Sequence, residues 1–338
     1  MTMAPTLVDG DVGCIRIGLV NNMPDSALEA TERQFQTLLS EAAEGMSVQL
    51  AFLAIPQVPR SLETKRRIDS LYLSIDALWD QDVDGLIVSG AEPVAPNLMD
   101  EPFWESLAQL VDWAQHNTYS SVWSCLAAQA AVLHIDGIPR RRLGDKLFGV
   151  FECANISEHH LTSGSPDSFG MPHSRWNDIP ENELSACGYG VLTRLKNGLV
   201  DTFVKKCKSL FVFCQGHPEY EPASLLLEYR RDIRRYLRGE RETYPSMPEG
   251  YFDQHAAATL SELRVQAFAN RSEQCLSNFS ASLQPARIRS TWRPQAVRFY
   301  RNWLHYLSER KAMRAHTRPR RAAAEYSFKS SAAAASAV

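Results

Sequence analysis

Cys125 has the setting most suited to chemistry. Residues 119–124 (YSSVWS) read as a strand and residues 126–133 (LAAQAAVL) as an Ala-rich helix, so the cysteine falls at a strand-to-helix turn. Such a turn lifts a nucleophile clear of the sheet edge. The helix N-terminus beside it favours a thiolate, and the backbone N–H of Leu126 is placed to bind an oxyanion. A buried structural cysteine opening a core helix is the competing reading. The glycines that often flank such an elbow are here Ser124, Leu126 and Ala127.

A second group follows the strand at residues 209–214 (SLFVFC), where the chain reads Gln215-Gly216-His217-Pro218-Glu219-Tyr220. His217 lies just past the carboxyl end of that strand, the usual place for functional groups in an open α/β sheet. Glu219 can hold the imidazole in the tautomer that accepts a thiol proton. A solvated loop histidine is the alternative when His217 is taken alone. Ser89-Gly90-Ala91 ends the strand at 84–89 (DGLIVS), where a glycine lets backbone N–H groups approach a reacting carbonyl; an ordinary turn is equally consistent. Residues 172–176 (PHSRW) read as a polar loop cluster that could fix a substrate or simply be solvated.

The elements positioning these residues alternate β-rich runs with helical patterns, the mark of an α/β sheet with mostly parallel strands. Strands are expected at residues 15–21, 48–54, 84–89, 119–124 and 209–214, with an antiparallel pair at 188–195 and 200–205. Helices are expected at 27–44, 102–115, 126–133, 221–238 and 297–309. The fold class is α/β, doubly wound and flavodoxin-like, as one domain over residues 15–309 after an N-terminal extension of residues 1–14. Residues 255–290 read as a helical insertion with a polar loop. Residues 310–338 read as a disordered tail, basic and then Ala/Ser-rich.

The composition narrows the partners. The 338 residues are 44% hydrophobic and 22% charged, and 36 Lys+Arg against 39 Asp+Glu leave a net charge of -3. No global field points to nucleic acid or an anionic membrane, so small-molecule substrates are expected. There is neither a leader pattern nor an apolar run of membrane-spanning length, and a cytoplasmic location is expected. The seven cysteines (14, 125, 153, 187, 207, 214, 275) contain no C-x-x-C pair and fit neither a disulfide framework nor a structural zinc site, so no metal is expected.

Taken together, the motifs resemble the homoserine O-acyltransferase family (homoserine O-succinyltransferase or O-acetyltransferase of methionine biosynthesis). The matching blocks are IRIGLVNNMP (15–24), TERQF (31–35), DGLIVSGA (84–91), SCLAAQAAV (124–132), GIP (137–139), DKLFGVFE (145–152), PHSRW (172–176), QGHPEYE (215–221), EYRRDI (228–233) and NWLHYL (302–307). They follow the family's order, and a glutamine amidotransferase would instead show a G-x-C-x-G elbow. The resemblance implies a class I glutamine-amidotransferase-like fold. It implies Cys125 as acyl-accepting nucleophile, His217 as general base, Glu219 as its partner, and Gly90 and Leu126 as backbone oxyanion donors. Lys146 and Ser174 fall where the family places substrate contacts, and Arg231 where it places the group for the amino-acid carboxylate. The implied reaction is ping-pong, with acyl-CoA as cosubstrate and no bound cofactor.

The family reads G-A-P after the strand, whereas this chain reads Gly90-Ala91-Glu92-Pro93-Val94. Glu92 or Val94 therefore occupies the donor-selecting position, and the expectation leans to succinyl-CoA over acetyl-CoA. Serine or another amino alcohol is the alternative acceptor, glutamine-type amide hydrolysis the rival reaction, and a homodimer the assembly left open. A catalytically idle binding module would not need Cys125, His217 and Glu219 intact.

Overall fold

The computed structural model describes residues 2–3, 13–272 and 290–315. In chain order the elements are β1 (Thr2–Met3), β2 (Ile15–Val20), α1 (Asp25–Ala43), β3 (Val48–Leu53), α2 (Leu62–Leu71), α3 (Ile75–Leu78), β4 (Gly85–Val88), α4 (Trp104–Asn117), β5 (Ser120–Ser124) and α5 (Leu126–Asp136). They continue as β6 (Arg141–Asn155), β7 (Ser168–Asp178), α6 (Glu181–Ala186), β8 (Gly190–Leu195), β9 (Val200–Lys206), β10 (Leu210–Cys214), α7 (Ser224–Leu237), α8 (Gln254–Ala269) and α9 (Arg293–Ala315). Among the described residues no helix is long and apolar enough to cross a membrane.

Every residue of β2, β3, β4, β5 and β10 is buried. Strands covered on both faces read as near-continuous apolar runs, as β2, β4 and β10 do, while β5 (SSVWS) buries three serines instead. These five strands lie parallel in the order β3-β2-β4-β5-β10, with β1 added beside β3. The order is the doubly wound, flavodoxin-like one, and ligands of such sheets bind outside the carboxyl ends of the strands. One apolar layer joins the sheet to α4 and α5 through Leu107, Leu110, Ala128 and Val132. The other joins it to α1 and α9 through Phe35, Leu38, Trp303 and Leu307. Gly85 makes room for α9: a Cβ there would lie 2.7 Å from Leu307 Cδ1.

Beyond β10 the sheet continues antiparallel through β9, β8, β6 and β7. The long β6–β7 hairpin corrects the expectation of a loop at residues 172–176, which lie inside β7. Phe169, Met171, His173 and Arg175 alternate inward along this strand and all are buried. Two of those inward residues are polar, so the period-two apolar signature breaks off where the buried stretch continues. Arg175 is satisfied by Asp178 Oδ1 at 2.6 Å, the Asn177 carbonyl at 2.7 Å and the Val200 carbonyl at 3.2 Å.

At the C-terminus α9 runs to Ala315 and so takes in residues that the sequence places in the tail. Lys311 Nζ reaches Asp84 Oδ2 at 2.7 Å and the Cys14 carbonyl at 2.6 Å, tying the helix to the amino end of β4. The rest of the expected tail, most of residues 1–14 and the polar loop within 255–290 lie outside the described residues, whereas α8 forms the helical part of that segment.

Candidate active site

Three strand ends build the site. Gly90 follows β4, Cys125 follows β5 and His217 follows β10, and these strands are parallel neighbours in register, Val88 opposite Trp123 and Ser124 opposite Cys214. Cys125 sits at φ 50°, ψ -111°, between the last residue of β5 and the first of α5. A non-glycine residue at positive φ costs roughly 1–3 kcal/mol and persists only where its surroundings hold it. Here the Cys125 amide donates to the Cys214 carbonyl at 2.7 Å. The turn leaves the side chain half-buried rather than sealed in the core. A Cβ at Gly90 would lie 3.7 Å from Cys125 Cβ and 3.5 Å from the Leu126 nitrogen, so the loop after β4 passes directly against the elbow.

His217 is 8% exposed and Glu219 5%. The imidazole Nδ1 meets Glu219 Oε1 at 2.8 Å, and Cys125 is near enough to the ring to favour its charged form. Burial works against the imidazolium, but the charge of Glu219 and the nearby Cys125 outweigh it and hold the His217 pKa well above its ordinary value. The loop bearing His217 is fixed by backbone bonds on both sides, Gln215 N–H to the Asp201 carbonyl and His217 N–H to the Pro172 carbonyl, each 2.8 Å.

Tyr220 stacks on the His217 ring with centroids 4.3 Å apart, and its hydroxyl donates to Glu228 on α7. The other Glu228 oxygen accepts from Ser174 Oγ at 2.6 Å and faces Lys146 Nζ at 3.6 Å. Lys146 projects from the bulge of β6, 4.0 Å from Asp232 and over the Phe148 ring at 4.1 Å. Arg231, one turn on from Glu228, is paired with Asp232 at 3.0 Å and also feels Glu228 and Glu92. Ser174, Lys146 and Arg231 therefore gather around two carboxylates of α7. The aromatic ring of Tyr220 links that cluster to His217.

Sequence reasoning passed over Tyr220, although it stands in the same short block as His217. Glu228 entered there only as the first residue of the block at 228–233. The loop after Gly90 is held by Glu101, whose carboxylate accepts from Val94 N–H at 2.9 Å and Ala95 N–H at 2.9 Å. Glu92 turns outward to Arg235 at 3.5 Å, and Val94 is 62% exposed.

Among the described residues, the one cluster with ligand atoms close enough for a metal is Cys153, His173 and Asp201, all buried. His173 Nδ1 accepts from Arg175 Nε at 3.3 Å, which places the ring proton on Nε2, 3.3 Å from Asp201 Oδ1. Burial holds the His173 pKa below its usual value. The arrangement is a neutral histidine facing a carboxylate that Thr193 and Thr202 also donate to.

A sequence model of the family described as homoserine O-succinyltransferase matches residues 3–313. A homoserine O-succinyltransferase from Rhodopseudomonas palustris is 45% identical over 312 residues, covering 90% of this chain and 94% of its own. One from Methylorubrum extorquens is 44% identical over 301 residues, covering 89% of each. A solved glutamine amidotransferase from Methylobacillus flagellatus aligns with 81% of this chain and 96% of its own at 17% identity and a TM-score of 0.46. With its matching model spanning most of the sequence, and relatives of this identity over nearly their full length, the chain belongs to the homoserine O-succinyltransferase family.

Proposed function

We propose that this chain moves an acyl group, succinyl in preference to acetyl, from acyl-CoA to the side-chain hydroxyl of homoserine through a thioester on Cys125. The observation that carries the reading is the grouping of Cys125, His217 and Glu219 at two neighbouring strand ends, with Glu219 bonded to the imidazole. In the first half-reaction the Cys125 sulfur attacks the thioester carbonyl and the carbon–sulfur bond to CoA breaks. His217, which holds the thiol proton, returns it to the leaving CoA thiolate. In the second, His217 takes the proton of the acceptor hydroxyl as its oxygen attacks the acyl-enzyme, and Cys125 leaves. The Leu126 N–H at the start of α5, with Gly90 beside it, supplies donors for the oxyanion of each tetrahedral intermediate.

The acceptor carries an ammonium and a carboxylate beside its hydroxyl. Glu228 suits the ammonium, since Ser174 and Tyr220 already orient its carboxylate. Arg231 suits the carboxylate, because a planar guanidinium can bind it through two parallel hydrogen bonds. The methionine-pathway role follows from the family, whose named members act on homoserine.

The test is a matrix of succinyl-CoA, acetyl-CoA and a CoA-free blank against homoserine, serine and glutamine, following CoA thiol and ammonia. Thiol release with succinyl-CoA that depends on homoserine is expected. Ammonia from glutamine without thioester consumption overturns the reading in favour of amide hydrolysis.

A further inference from the structure

Arg140 stands in the turn between α5 and β6, first of three consecutive arginines. Its neighbours are engaged: Arg141 pairs with Glu183, and Arg142 lies over the Trp176 ring at 4.4 Å. Arg140 is half-buried, yet among the described residues its one hydrogen bond is a long one, 3.4 Å from Nη2 to the Pro96 carbonyl, with no carboxylate in ion-pairing range. Burial works against its charge, and the acidic groups near enough to act on it are Glu101 and Cys125. Glu101 is already engaged by the amides of Val94 and Ala95. A guanidinium taken partly out of water without a carboxylate partner is a site prepared for an anion.

The loop from Gly90 to Pro96 connects this cation to the nucleophile. Its first residue packs against Cys125 and its last carries the carbonyl that Arg140 touches. Arg140 is near enough to Cys125 to feel it, so an acyl chain laid along this loop with its carbonyl carbon at the thiol would extend toward Arg140. Of the two residues expected at the donor-selecting position, Glu92 sends its carboxylate away to Arg235 and Val94 is 62% exposed.

We infer that Arg140 receives the free carboxylate of a dicarboxylic monoacyl thioester, and so selects a succinyl group over an uncharged acyl group. The inference rests on the proposed acyl transfer through Cys125 and deepens it by naming the group that reads the donor. Selection comes from a charge-assisted contact that acetyl or butyryl chains cannot make. The pocket therefore need not exclude them by size.

The test uses the full-length chain with succinyl-CoA and with butyryl-CoA, which matches succinyl in chain length but lacks the carboxylate. For Arg140→Met, kcat/KM with succinyl-CoA should fall by about 30-fold or more, the loss of one desolvated charge contact. With butyryl-CoA it should change by less than about threefold, which also reports that the variant is folded. Arg140→Lys should keep part of the preference, because an ammonium retains the charge but not the fork. Parallel losses on both thioesters, or an unchanged succinyl-to-butyryl ratio, would overturn the assignment while leaving the transfer reaction standing. A wild-type enzyme that accepts neither thioester overturns the transfer reaction itself, and the carboxylate contact with it.

Discussion

The Cys125 amide donates to the Cys214 carbonyl at 2.7 Å, so the turn that presents the proposed nucleophile is bonded to the strand that leads into His217. In the proposed reaction two strands contribute one residue each, and the bond between their ends fixes the separation of the two side chains. Backbone pairing holds the pair in place, which suits a residue such as Cys125 whose positive φ would otherwise relax.

His217 and Glu219 differ in what their loss removes. His217→Ala should lower kcat by about 10²–10⁴-fold or more, since the proton carrier itself is gone. Glu219→Gln keeps the carrier and weakens its orientation and charge, so the fall should be smaller. Steady-state rates of the two variants at one pH decide the order. A Glu219→Gln enzyme slower than His217→Ala contradicts these roles.

The same pair leaves a mark on stability. The His217 pKa stands well above its ordinary 6.5, so over that interval the folded chain keeps a proton that the unfolded chain has lost. The stabilisation due to Glu219 is therefore full below the unfolded value and disappears as pH rises through the folded one. In denaturant melts the stability gap between wild type and Glu219→Gln should narrow as pH is raised from 6.5 upward. A gap that widens with pH contradicts the sign of this coupling.

The α7 cluster should govern the acceptor and leave the donor alone. Glu228→Gln and Arg231→Lys should each weaken acceptor binding by about 2–5 kcal/mol, read as a raised acceptor KM. Acyl-enzyme formation from acyl-CoA should stay near normal, because it precedes acceptor binding. Either variant failing in that first half-reaction would displace the acceptor from α7.

At the opposite end of the sheet, Asp84 is 3% exposed and relies on Lys311 of α9. Lys311→Met leaves a buried carboxylate without its cation and should cost roughly 3 kcal/mol of stability. Turnover per folded molecule should be unchanged, since Asp84 precedes β4 while the site follows it. An unchanged melting temperature would mean the pair is not what anchors α9.

How much of this was legible depended on the kind of pattern each segment carries. Strands β2, β4 and β10 are buried on both faces and stand out as apolar runs, so the position of His217 at a strand end could be read directly, whereas the serine-rich β5 was legible mainly from the Ala-rich helix that follows Cys125. The β6–β7 hairpin could not, because His173 and Arg175 hold inward positions and break the alternation with polar residues. Tyr220 and Arg140 escaped for a different reason. An aromatic beside a histidine and an arginine within a basic run look ordinary until the fold shows what each one touches.

The most direct measurement mixes the enzyme with succinyl-CoA in the absence of any acceptor, quenches it in acid and maps its peptides by mass spectrometry. The account predicts one succinyl group on the peptide containing Cys125, discharged when homoserine is added before the quench and absent from Cys125→Ala. Succinyl mass on a peptide carrying another cysteine, or product formed at full rate with no labelled enzyme, would contradict it.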